Sequence, residues 1–182
     1  MWFIHHFLRV IWANLFGFLV HIKYCFEMRF NKDLFNEYTK NQETWNNIRS
    51  IQELVMFMSG KYVYKWDGHK GLFDHNNFSF EWFAKWGDCD DVGHYICKKM
   101  REIYKDELEY CETRGFADLT AKPAFWHYDC VYKFKNSDHY NLFNYGHIKT
   151  GKDLNEIDYE MTKIYCGNYK FNKMVGWTCH WM

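Results

Sequence analysis

The hydrophobic period of this 182-residue chain changes at Gly115, and that change constrains its fold more than any single motif. Before it, Trp45, Ile48, Ile51, Leu54, Val55 and Met58 form one apolar stripe over residues 43–59, and Val92, Ile96, Met100 and Ile103 form another. Three- and four-residue spacing places such side chains on one face of a helix. Residues 1–38 are helical in pattern as well, and residues 60–77, with three glycines and the run Asp74-His75-Asn76-Asn77, read as an irregular excursion. After Gly115, residues 116–120, 124–134 and 140–145 are rich in aromatic and β-branched residues, and Asn136-Ser137-Asp138 supplies a turn between the last two. This pattern predicts strands joined in a hairpin. Helical character returns over 153–165, and the apolar tail 174–182 is expected to pack. The expectation is an α+β fold in a single domain over 1–182: a helical N-terminal part and loop (1–75), a core (80–148), and a C-terminal helix and tail (150–182).

Composition excludes several classes. Phe, Tyr and Trp make up 22% of the chain, which rules out a disordered tail. Lys+Arg and Asp+Glu balance at 23 each, with no long basic run, so a binder that neutralises many nucleic-acid phosphates is not expected. The apolar stretch 10–20 is interrupted by Asn14 and closed by His21 and Lys23. It falls short of the roughly 20 apolar residues a spanning helix needs and lacks a small-residue cleavage site. It is expected to form a buried or interface-forming helix that meets a protein partner through its aromatic residues. Docking on a membrane surface through Trp2, Phe3, Phe7 and Trp12 is the alternative.

Seven cysteines, an odd number with no CxxC pair, suit reduced thiols in a cytoplasmic protein better than a disulfide scaffold. A zinc site among Cys97, Cys111, Cys130 and nearby histidines lacks close-pair ligand spacing. Cys89 stands apart, in Trp86-Gly87-Asp88-Cys89-Asp90-Asp91, between a loop and an expected helix start. Unpaired backbone N–H groups and the helix dipole favour a thiolate there and can supply an oxyanion-hole donor. A nucleophile also needs a base and a group that orients it. His127 lies 38 residues downstream on an expected strand, and Asn144 a further 17 residues on, at the end of the next. An Asn oxygen can accept the imidazole Nδ1–H as a carboxylate does. Asp129, two residues from His127 and so on the same strand face, is the rival orienter and an auxiliary group. The rival bases are His139, His147 and His94, the last about 140° from Cys89 around the helix.

The motif Gly87-Asp88-Cys89-Asp90-Asp91 opening a helix, followed by a strand His and a polar residue on the next strand, resembles the bacterial transglutaminase-like cysteine peptidases, relatives of papain. The resemblance covers about residues 80–148. It implies a papain-like core, with the nucleophile helix packed on an antiparallel sheet, and a Cys89–His127–Asn144 triad acting on a protein or peptide amide through an acyl-enzyme. Asn144 stands where the family usually has Asp, as in the papain-type arrangement. Relatives of the calcium-dependent kind hold the ion with acidic residues flanking the cysteine, which match Asp88 and Asp90. Asp67 and Asp74 could add oxygen ligands, and the competing reading is simple helix capping by Asp88. The chemistry itself requires no cofactor. The alternative function is a catalytically inactive or non-enzymatic module on the same fold that binds a host protein, of viral or mobile-element origin.

Overall fold

A computed structural model describes residues 25–61, 63–64, 86–87, 89–118, 125–166 and 174–179, together with isolated positions between 11 and 23. Contacts divide the chain into two units, Met1–Ile48 with Lys61–Asp91 and Arg49–Gly60 with Val92–Met182.

In the first unit, helical residues 25–30 are followed by α1 (Lys32–Asn46), started by Asn31, whose side chain accepts from the Leu34 N–H at 3.1 Å. Two short strands, β1 (Val63–Tyr64) and β2 (Trp86–Gly87), pair in parallel. Trp45 is buried, but Phe18, Leu19, Ile22, Phe26 and Phe30 stand exposed. Within the stretch 10–20 the described residues Ile11, Leu15, Phe18 and Leu19 are exposed, whereas its other positions, and Trp2, Phe3, Phe7 and Trp12, lie outside the described residues. Among the described residues no helix is long and apolar enough to cross a membrane.

The helix expected over 43–59 is in fact two. α1 ends at Asn46, and α2 (Ile51–Lys61) starts afresh at a capping box. Ser50 Oγ accepts from the Glu53 N–H at 3.2 Å, while Glu53 Oε2 accepts from the Arg49 N–H at 2.7 Å. This is a variant of the capping box, in which Glu53 reaches the N–H of Arg49, one residue before Ser50, and two backbone N–H groups at the helix start are satisfied. α3 (Cys89–Tyr104) begins at the acidic turn, with Asp90 and Asp91 in its first turn and Arg101 in its last, as the helix dipole favours.

The second unit is built on a five-stranded antiparallel sheet in the order β6-β5-β4-β3-β7. The strands are β3 (Leu108–Asp118), β4 (Phe125–Phe134), β5 (Tyr140–Asn144), β6 (His147–Gly151) and β7 (Met174–Cys179). β3 to β6 run consecutively; the chain then passes through α4 (Leu154–Cys166) and returns at the far edge beside β3. The fold is thus α+β with an antiparallel sheet, as expected. β3 starts earlier than residue 116, and β6 was not anticipated. β6 is exposed except at Gly151, so it carries no apolar alternation to read.

The pleat gives the sheet two faces. On one, Thr113 and Cys130 are opposite each other and meet α3: Gly93 comes so close that a Cβ there would lie 2.8 Å from Thr113 Cγ2. Val92, Ile96 and Met100 of α3 are fully buried, as their spacing predicts, while Ile103, the last of that stripe, is half-buried. On the other face, Val131 and Leu142 pack with Ile157 and Met161 of α4. There Arg114 donates through Nε and Nη2 to both oxygens of Asp158, at 2.6 and 2.7 Å, and through Nη1 to Thr178 at 3.0 Å. The Tyr110 hydroxyl bonds the same Thr178 oxygen at 3.1 Å. Gly176 leaves the notch for this carboxylate, since a Cβ there would fall 2.0 Å from Asp158 Oδ2.

Asp158→Ala strands a largely buried guanidinium and should lower stability by about 3 kcal/mol. Gly176→Ala, which expels the same carboxylate, should cost about 1–3 kcal/mol. Urea midpoints at unchanged m-value measure both, and midpoints equal to wild type would contradict the role given to this ion pair.

Candidate functional site

β4 carries two chemical clusters, one on each face, because neighbouring strand residues point in opposite directions. Asp129 is fully buried on the α4 face, in register with Arg114 of β3. Its carboxylate accepts from Asn144 Nδ2 at 2.9 and 2.8 Å and lies 3.3 Å from His127 Nε2. His127 is buried as well, two residues back on β4 and so on the same face, with its ring 6.2 Å from that of Tyr145. Asn144 reaches Asp129 because β5 pairs with β4 and ends beside it. Burial raises the Asp129 pKa, and the His127 and Asn144 contacts offset only part of that rise.

The structure therefore brings together His127, Asp129 and Asn144, in an order that differs from the sequence expectation. Asp129 stands between the other two: it holds the imidazole through Nε2, and Asn144 holds Asp129. The residue marked as auxiliary is the one that contacts His127, and it does so at Nε2 where Nδ1 was expected. Alternation made Asp129 a candidate, but only the β4–β5 register shows that Asn144 ends at the carboxylate.

Cys89 is the first residue of α3 and half-buried, within the first unit. Asp90 is half-buried and Asp91 buried in the same turn, while Asp88, Asp67 and Asp74 lie outside the described residues. Asp90 is thus the one expected calcium ligand that is described, and its place in a helical first turn is accounted for by the dipole. Of the rival bases, His139 and His147 are exposed, in the β4–β5 turn and at the start of β6. His94 stacks edge-on against Tyr95 at 5.3 Å.

The second cluster lies on the α3 face. Cys97 of α3, Cys111 of β3 and Cys130 of β4 are all buried, with their three sulfurs within 4.8 Å of one another. Thr113 Oγ1 donates to Cys97 Sγ at 3.7 Å, and Cys111 Sγ lies 3.6 Å from the Cys97 carbonyl. Arg101 donates to the Cys111 carbonyl and pairs with Glu112 at 2.7 Å. Hydrogen bonds from Cys130 and Cys97 draw the Cys111 thiol well below its ordinary range, with help from Arg101, whereas burial pushes Cys97 and Cys130 well up. No spacing motif announces this group, because each sulfur comes from a different element. Comparison of the chain with family models, curated proteins and solved structures returns no match.

The Asp129 shift has a definite sign. Its pKa is higher in the folded chain than the ordinary 3.8, so its favourable contribution is present at low pH and is lost as pH rises through the folded value. The stability of Asp129→Asn relative to wild type should therefore increase as pH rises above about 4, measured by urea midpoints. A constant difference over that range would contradict the raised carboxyl.

Proposed function

We propose that the protein is a cysteine hydrolase of the transglutaminase-like, papain-related kind, a thiol peptidase or amidase acting on a protein or peptide substrate through an acyl-enzyme. The observation that carries this reading is the hydrogen-bonded chain Asn144–Asp129–His127, a buried imidazole oriented by a buried carboxylate. Cys89 supports it separately, as a half-buried thiol in the first turn of a 16-residue helix.

The chemistry assigned to these residues is as follows. Cys89 Sγ attacks the carbonyl carbon while the His127 imidazole takes the thiol proton. The Asp129 carboxylate stabilises the imidazolium, and the backbone N–H of Cys89 helps to hold the oxyanion. His127 returns the proton to the departing amine, leaving a thioester that water cleaves with His127 as base. Deamidation and transfer to an amine would share this thioester and differ in what attacks second. No step needs a metal. Calcium beside Asp88 and Asp90 would enter only as charge compensation for the acidic turn.

The experiment uses the exposed thiol of Cys25 as an internal standard. Iodoacetamide should modify Cys89 faster than Cys25, a peptide aldehyde should be captured by Cys89, and Cys89→Ala should abolish capture with an unchanged circular dichroism spectrum. His127→Ala should slow turnover about 100-fold or more. If Cys89 reacted no faster than Cys25, the hydrolase reading would fall.

A second reading, a catalytically silent module that binds another protein, is favoured by two observations. Phe18, Leu19, Ile22, Phe26 and Phe30 are exposed, and His127 projects to the sheet face opposite the one on which Cys97 of α3 lies. Silence of Cys89 in the labelling experiment, in a folded chain, is the outcome that reading expects.

A further inference from the structure

We propose that Cys97, Cys111 and Cys130 form a three-sulfur site for a thiophilic metal ion, copper(I). The inference is independent of the hydrolase reading, since none of these residues takes part in that chemistry.

The geometry is close to what such an ion requires. A metal–sulfur bond of roughly 2.3 Å in a trigonal arrangement puts the sulfurs about 4 Å apart. The three Sγ atoms already lie within 4.8 Å of one another, so closure needs movements of less than about an ångström. Each sulfur is carried by a different rigid element. Thr113 opposite Cys130, and Cys111 opposite Tyr132, fix the β3 and β4 contributions on one face. Thr113 Oγ1, which donates to Cys97 Sγ, ties α3 to that register.

The chemistry of the donor set decides the ion. All three donors are sulfur, and soft thiolates select copper(I), zinc and iron–sulfur clusters over hard ions. Zinc takes four ligands in its structural sites, and among the described residues the group contains three. Copper(I) is satisfied with three. Binding replaces the S–H protons with the metal, and these protons pass to solvent. The negative charge that results lies beside Arg101, whose guanidinium already donates to the Cys111 carbonyl. Thr113 supplies a further hydrogen bond to sulfur, the kind of outer contact that orients a ligand.

The test uses the reduced, metal-free full-length chain, with copper(I) delivered anaerobically against a chromogenic copper(I) chelator. One equivalent should be retained, with a near-ultraviolet sulfur-to-copper band and X-ray absorption showing three sulfurs at one distance. Cys97→Ala, Cys111→Ala and Cys130→Ala should each lower retention about 100-fold, and Cys89→Ala and Cys25→Ala should leave it unchanged. Copper(I) should also raise the thermal midpoint of the Cys89→Ala protein, a readout that does not depend on the folding of the core variants. Failure to retain copper, a copper bound by two sulfurs, or retention undiminished in the folded core variants would each overturn the proposal.

Discussion

The pleat of β4 is the constraint on which the second unit depends. Asp129 and Cys130 are neighbours in sequence, yet alternation sends the carboxylate to the α4 face and the thiol to the α3 face. The register with β3 repeats the division one strand over, with Arg114 opposite Asp129 and Thr113 opposite Cys130. A slip of one residue would exchange the two sets and place a carboxylate among sulfurs and apolar side chains. The sheet thus holds two chemically distinct clusters within one strand, and neither can move without the other.

Both clusters cost free energy to bury, and each is compensated locally. Asp129 is fully buried but takes hydrogen bonds from Asn144 and contact from His127. The thiols are less demanding, because cysteine behaves as a small apolar residue until it ionises. What closes the α4 face is a third arrangement, the Arg114–Asp158 pair seated over Gly176 and tied to Thr178 and Tyr110. A buried pair of this kind is weak as a source of stability but exacting in geometry, since removal of either partner strands the other. It fixes where α4 crosses β3 and β7.

The sequence was most legible where burial and periodicity agree. The stripe Val92, Ile96 and Met100 is fully buried as its spacing requires, and the hairpin of β4 and β5 turns at the residues that signalled it. Local chemistry misled where a stripe crossed a boundary. The apolar spacing from Trp45 to Met58 reads through Asn47–Ser50, whereas the capping box formed by Ser50 and Glu53 was there to be noticed. β6 left no trace, because an exposed edge strand has no apolar face to display. In the site, His127, Asp129 and Asn144 were all identifiable by type and order. Their connection was not, because it depends on which strand ends beside which carboxylate. The thiol cluster was a candidate by residue type, discounted for want of close-pair spacing: Cys97, Cys111 and Cys130 converge only through packing of three separate elements, and no histidine belongs to the described group.

The central functional claim is that His127 acts on the Cys89 thiol, and the rate of Cys89 alkylation as a function of pH tests it most directly. In the wild-type protein the profile should show a thiolate forming well below the ordinary cysteine value of about 8.5, and in His127→Gln it should return toward that value. Superimposable profiles for the two folded proteins would contradict the pairing and leave His127 with a structural role beside Asp129.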